Sequence, residues 1–167
     1  MIGAGFASIP PLAALEPAAR MRLAENAELL RVPAGETLFA AGMPCRNYVI
    51  LCSGRVRVHQ LDEDGHGIVL YRLGAGDPCI LTTAALFSGE PYAAFAVTEM
   101  PAEVIALPAS VFDALIGSSP AFRRFVFASH ATRLAALMRV VRSRRSQQAG
   151  QNLTSAVSTR TMPAMPT

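Results

Sequence analysis

Tyr48-Val49-Ile50-Leu51-Cys52-Ser53-Gly54-Arg55-Val56-Arg57-Val58-His59 is the stretch that decides the fold class. An apolar run rich in aromatic and β-branched residues, Tyr48–Leu51, meets a turn signal at Cys52-Ser53-Gly54, and a second run follows at Val56–Gln60. Arg55-Val56-Arg57-Val58-His59 alternates polar and apolar residues, the period of a half-buried strand. The same punctuation continues on both sides. Pro33-Ala34-Gly35, Ala41-Gly42-Met43-Pro44, Asp64-Gly65-His66-Gly67 and Gly74-Ala75-Gly76-Asp77 are turn signals, spaced about ten residues apart. Between and beyond them lie Thr37–Phe39, Ile68–Leu73, Ala93–Thr98 and Ala102–Leu107. Leu61-Asp62-Glu63-Asp64-Gly65 reads as a hairpin turn into Ile68-Val69-Leu70-Tyr71. Many short, evenly spaced strands predict a mainly β sandwich, barrel or jelly roll.

Helical patterning flanks this region. Residues 8–30 read as helical in pieces, opened by Pro10-Pro11, with Leu12, Leu15, Met21, Leu23, Leu29 and Leu30 as apolar positions. After Pro108 a short helix is predicted over Ala109–Ile116, ending at Gly117. Ser119-Pro120 then opens a long helix, with a capping serine and a proline in the first turn. Phe127, His130, Leu134, Leu137 and Val141 recur at spacings of 3, 4, 3 and 4, a coiled-coil seam. No further apolar element follows for this stripe to pack on, so it is expected to pair two copies of the chain. Arg142–Thr167 is rich in Ser, Thr, Gln, Arg and Pro and is expected to be disordered. The expected organisation is a helical segment over 1–30, a β domain over 31–108, helices over 109–142 and a tail over 143–167.

Composition narrows the function classes. The chain has 167 residues, 51% hydrophobic, enough for one domain with a core and an appendage. No apolar run approaches the roughly 20 residues that cross a bilayer, and the N-terminus does not read as a signal peptide, so a cytoplasmic location is expected. Cys45, Cys52 and Cys79 are too few and too irregular for a disulfide framework or a zinc site, and are expected to be small core residues. The net charge of +3 hides an asymmetry: residues 1–113 hold seven arginines and all 12 acids, whereas residues 114–167 hold eight arginines and no acid. A basic end can attract nucleic acid, yet arginines without a reading motif do not make a recognition surface. No Ser/His/Asp set, carboxylate pair, phosphate-cradling glycine loop or histidine-rich metal spacing is visible, so no enzyme and no metal site are expected.

In the order of its marks, the chain resembles the sensory half of a Crp/Fnr-type bacterial transcription regulator over roughly residues 6–141. The marks are Pro33-Ala34-Gly35-Glu36-Thr37-Leu38-Phe39 with Gly42, the Tyr48–Val56 stretch with its glycine turn, Gly76-Asp77, Leu86-Phe87-Ser88-Gly89 and the long final helix. The resemblance implies a cyclic-nucleotide-binding-like β-roll of jelly-roll type with flanking helices. It also implies a long dimerisation helix leading to a helix-turn-helix domain. Its ligand pocket would fall on Cys79, Leu81, Thr82, Thr83, Tyr92 and Ala93.

Two departures from the family pattern bear on function. Nucleotide binders of the family carry Gly-Glu just after the equivalent of Gly76-Asp77 and Arg-Ser/Thr-Ala further on. There the arginine pairs with the cyclic phosphate and the glutamate accepts from the ribose hydroxyl. Here those stretches read Ile80-Leu81-Thr82-Thr83 and Tyr92-Ala93-Ala94, with no arginine or lysine between Arg72 and Arg123. A buried phosphate would be uncompensated, so tight cyclic AMP or cyclic GMP binding is not expected; only backbone amides and the Thr82 and Thr83 hydroxyls remain as donors. Second, the residues after Val141 do not supply a helix-turn-helix core. The sequence therefore reads as truncated or frameshifted near Arg139–Arg142, or as a single-domain protein with a tail, and direct DNA binding is not expected. The expected function is an effector-sensing and dimerising regulator domain with an unnamed small-molecule effector. The alternatives are a module that pairs with an intact regulator, or a sensor of a small molecule or of haem, the latter held by His59, His66 or Cys79. His59 is expected at the surface and His66 in a solvated loop, while Tyr92 serves equally as a ligand contact or as a core wall.

Overall fold

The computed structural model describes residues 6–136, 138 and 139, so Leu137, Val141 and the whole expected tail lie outside the described residues. The chain divides into two compact units, residues 1–129 and residues 130–167. Of the second unit, residues 130–136, 138 and 139 are helical.

The first unit is an antiparallel sheet with helices around it. Two short helices lead in, α1 (Pro10–Ala13) and α2 (Pro17–Asn26), each begun by a proline whose missing N–H would have had no partner there. The strands are β1 (Glu28–Val32), β2 (Thr37–Phe39), β3 (Asn47–Leu61), β4 (Gly67–Leu73) and β5 (Phe95–Pro108). A helix, α3 (Ile80–Ser88), interrupts them, and α4 (Ala109–Ser118) follows. A last helix, α5, begins at residue 120. The sheet order is β1-β5-β3-β4, with β2 also paired to β5. This is the mainly β architecture with flanking helices that the strand pattern predicts, in the β-roll form that the resemblance implies.

Two local readings change, and a segment to which the sequence pattern assigns no element is helical. Leu29 and Leu30 belong to β1, not to a helix: β1 pairs with β5 from Glu28 to Val32, and tertiary pairing overrides the local pattern. The runs Tyr48–Leu51 and Val56–Gln60 form one 15-residue strand, and Ala102–Leu107 joins residues 95–98 of the predicted run Ala93–Thr98 in one strand, Phe95–Pro108, with Ala93 and Ala94 outside it. The pocket segment after Cys79 is helical, its C-terminus closed by Gly89 in the left-handed conformation.

The long strands stay continuous because of Gly54. Its φ is +92°, and a Cβ added there would lie 2.3 Å from the Pro101 carbonyl oxygen on β5. Around it the β3–β5 register slips, from Leu51 opposite Val104 to Val58 opposite Ala96. A slip of one residue exchanges the two faces of a strand. Leu51 therefore faces the same core as Val56 and Val58, although the numbering parity differs.

Two cores result. One packs α1, α2, α4 and the start of α5 on Tyr48, Ile50, Cys52, Ile105 and Leu107. The other fills the roll with Phe39, Leu51, Val56, Val58, Leu73, Cys79, Tyr92 and Val104. Cys52 and Cys79 are buried free thiols and Cys45 is half-buried. The buried Thr98 hydroxyl donates to the Pro33 carbonyl at 2.6 Å and accepts from the Glu36 amide at 2.9 Å, pinning the β1–β2 turn to β5.

Glu16 ties the entry helices to the exit helix. Its carboxylate accepts from the Ser119 hydroxyl and, at 3.1 Å, from the Ala121 amide, while the Ser119 hydroxyl oxygen accepts from the Phe122 amide at 3.0 Å. Ser119 caps α5, as the sequence predicts, and Glu16 adds a negative charge at the same helix N-terminus.

Two stability predictions follow from these contacts. Gly54→Ala should cost at least about 2 kcal/mol in urea unfolding, because the new methyl meets backbone as well as an unfavourable φ. Gly35→Ala shares the positive φ but meets nothing within 4 Å, and should cost only about 1 kcal/mol; equal losses would contradict the steric account. The Ser119 hydrogen bond, helped by backbone amides, holds the Glu16 pKa below its ordinary 4.5. A lowered folded pKa stabilises fully above that ordinary value and ceases to stabilise as pH falls through the folded value. Glu16→Gln should therefore lower Tm at pH 7 and lower it less at pH 3; thermal melts at both pH values check this.

Candidate functional site

The turn before α3 is held tightly against β3. The Leu51 amide donates to the Asp77 carbonyl at 3.0 Å, the Gly76 amide to Leu51 at 2.7 Å and the Cys79 amide to Val49 at 2.8 Å. Asp77 closes its own turn, its carboxylate accepting from the Gly74 amide at 2.9 Å. This turn places Cys79 in the core with no exposed surface.

The hydroxyls predicted as fallback donors face inward. Thr82 and Thr83 both donate to the Cys79 carbonyl, at 2.7 and 3.2 Å, and the Thr82 oxygen also accepts from the Val49 amide at 3.3 Å. Their relative exposures are 0% and 1%, so they bond back to the backbone at the head of α3 rather than face a ligand. The physical reason is local competition: hydroxyls in the first helical turn satisfy nearby backbone groups first. Leu81 is half-buried against the roll core.

Tyr92 stands where the family pattern places arginine. It is buried, and its ring stacks on Phe39 with centroids 3.9 Å apart and planes 8° from parallel. Burial, with the neighbouring Cys45 thiol, raises its phenol pKa. Its backbone grips the β2–β3 connection: the Gly42 amide donates to the Tyr92 carbonyl at 2.8 Å and the Tyr92 amide to Met43 at 2.9 Å. Ala93 is exposed, and its carbonyl accepts from the Gln60 side chain at 3.0 Å.

The Cys79 thiol lies 3.8 Å from the Tyr71 hydroxyl, and burial raises its pKa. A raised thiol pKa disfavours the reactive and metal-binding thiolate. Of the other two haem candidates, His66 sits on the exposed hairpin as predicted. His59 is half-buried rather than at the surface, its ring stacked on Phe95 at 5.5 Å. Asp62, Asp64 and His66 bring three ligand atoms within 4.8 Å of one another. The Asp62 carboxylate there accepts from the Asp64 and His66 amides at 3.1 and 2.7 Å, an arrangement that the turn itself accounts for.

Beside Tyr92 lies a cleft of about 360 Å³ between β2, the β2–β3 connection and the β1–β5–β3 face. Leu38, Phe39, Val49, Tyr92 and Val104 line it, with Arg46 and Asn47 as its polar members. Of the predicted pocket residues only Tyr92 reaches it, and nothing in the sequence pattern marked Leu38, Arg46 or Val49 as neighbours. They converge through sheet register and the pinned connection, which no local spacing encodes.

On the last helix, Phe127 and Leu134 are exposed, at 55% and 57%. Phe127 stacks on Phe87 of α3 with centroids 6.3 Å apart, a pair that the sequence reading missed. His130 is half-buried, and burial lowers its imidazole pKa. Among the described residues no helix is long and apolar enough to cross a membrane.

A structure described as a Crp/Fnr-family transcriptional regulator from Eubacterium rectale shares 21% identity at a TM-score of 0.71, over 81% of this chain and 63% of that one. A c-di-GMP-responsive global regulator from Xanthomonas campestris shares 18% identity at 0.64, over 74% of this chain and 62% of that one. The regulatory subunit of a cAMP-independent protein kinase A from Trypanosoma brucei shares 20% identity at 0.62, over 70% of this chain and 42% of that one. The chain thus spans less than two thirds of the length of each. No curated protein matches it. Residues 29–119, from β1 to the end of α4, match the model of the cyclic nucleotide-binding domain, and the chain belongs to that family, with Crp/Fnr-type regulators among its structural neighbours.

Proposed function

We propose that this chain is the effector-sensing domain of a Crp/Fnr-type transcription regulator, that its effector is not a cyclic nucleotide, and that its last helix pairs two copies. The observation that carries the reading is the Phe39–Tyr92 stack inside the roll core, at the place where a phosphate-binding arginine would stand. A buried cyclic phosphate gains most of its binding from a charge-assisted fork. Here a neutral phenol fills the place, no acid stands in Ile80-Leu81-Thr82-Thr83, and the Thr82 and Thr83 hydroxyls are spent on Cys79. The residue roles are sensory and structural, with no catalytic step assigned to any of them.

Pairing is supported by large apolar side chains left in solvent at helical spacing. Phe127, Leu134 and Met138 are each more than half exposed, at 55%, 57% and 57%. Side chains of this size on one helix are the raw material of a coiled-coil seam. A ligand that altered the roll would bias the pairing helices by shifting the population of two arrangements.

Calorimetry with cyclic AMP and cyclic GMP tests the first part. The expected result is no saturable binding, whereas a dissociation constant near 1 μM, about −8 kcal/mol, would overturn it. Sedimentation equilibrium tests the second. The wild-type chain should sediment as a dimer and Leu134→Asp as a monomer; an unchanged mass would remove this helix from the interface.

A further inference from the structure

We propose that the cleft beside Tyr92 is a binding site for a small apolar monocarboxylate, a medium-chain or aryl-alkyl acid whose carboxylate pairs with Arg46. Three observations carry it. First, the cleft is a half-open groove of about 360 Å³ with Arg46 and Asn47 at its exposed rim, a volume suited to a molecule of roughly ten heavy atoms. Its walls are aliphatic and aromatic: Leu38, Val49 and Val104, with the Phe39–Tyr92 stack behind them. Second, its one cation is uncommitted. Among the described residues the Arg46 guanidinium makes no ion pair and no hydrogen bond. A free guanidinium beside an apolar wall matches a planar carboxylate on an apolar body, held by two parallel hydrogen bonds. Third, the mouth is preorganised. The β2–β3 connection is fixed at both strands of its hairpin-like contact with Tyr92, through Gly42 and Met43, so little ordering cost falls on the ligand.

The site differs from the place where a cyclic phosphate would sit. No residue of α3 lines the cleft, so neither the helix N-terminus nor its first-turn amides reach it. A single arginine and a neutral asparagine suit one negative charge. The proposal rests on the sensing reading above only for the regulatory meaning of binding.

Titration of the purified chain with octanoate and 3-phenylpropionate, followed by calorimetry and by backbone amide NMR shifts, tests it. The expected dissociation constant is on the order of 100 μM, with the largest shifts at Leu38 and over residues 43–49. The neutral partners octanol and 3-phenylpropanol should bind at least about tenfold more weakly. Arg46→Gln should remove that preference and Arg46→Lys should keep part of it. Absence of saturable binding by either acid, equal binding of acid and alcohol to the wild-type chain, or shifts confined to α3 would each overturn the proposal. The acid–alcohol comparison needs no variant, so a poorly folded Arg46→Gln leaves the test intact. Cyclic nucleotide titration fails or succeeds separately: absent binding of both ligand classes would reject this site while leaving the sensing reading, and tight cyclic AMP binding would reject that reading alone.

Discussion

Everything in the roll depends on the close approach of Gly54 to the backbone of Pro101 and Ala102. β3 and β5 are long enough to run through both halves of the fold, and they can do so only if both bend at one place without losing their pairing. A side chain at residue 54 would collide with the Pro101 carbonyl oxygen, so the strands could not stay in contact there. The register slip beside the glycine also exchanges the faces of β3. Before it, Tyr48, Ile50 and Cys52 face the helical core; beyond it, Val56 and Val58 face the roll core. One residue without a Cβ thus permits a single strand to serve two cores.

The helical half is held by a different kind of force. Glu16, Ser119 and the first amides of α5 form a small polar cluster at the edge of an otherwise apolar layer. Burial of Phe112, Phe122, Leu12 and Leu23 supplies the attraction, which has no direction of its own. The carboxylate supplies direction, because it satisfies two donors at one helix end and so fixes where α5 starts relative to α2. Apolar area and polar geometry divide the work: the first holds the helices against the sheet, and the second sets their register.

Much of this was legible in the chain, and what was not has a common cause. The alternation Arg55-Val56-Arg57-Val58, the glycine turns and the Ser119 cap were readable because each acts on residues within a few positions. The pairing of Leu29 and Leu30 with β5 was not, since the partners Ile105 and Val104 lie far along the chain. Nor was the fate of the Thr82 and Thr83 hydroxyls, which depends on a turn that brings the Cys79 carbonyl beneath them. That no arginine or lysine stands between Arg72 and Arg123 could be read directly, because it concerns composition. That Tyr92 would turn inward onto Phe39, with Arg46 left free at the neighbouring cleft, depended on sheet register and could only be seen in three dimensions.

Under the proposed reading, the stacked phenol of Tyr92 bears on what α3 can respond to. With arginine at that place, a ligand would act directly on the helix through its phosphate. With Tyr92 in the core, α3 is instead tied at its start to β3, where the Cys79 amide donates to Val49 and the Val49 amide donates to Thr82. Val49 is also a wall of the apolar cleft. At its other end α3 carries Phe87, which packs on Phe112 of α4 and on Phe127 of α5. A molecule that displaced Val49 would therefore strain two hydrogen bonds at the head of α3. The helix is too short, at nine residues, to absorb that strain by bending, so the displacement would be felt at the Phe87–Phe127 pair. The cleft, the anchor and the aromatic pair are thus joined through one short helix, so the ligand proposed for the cleft would need no contact with α3 to act on it.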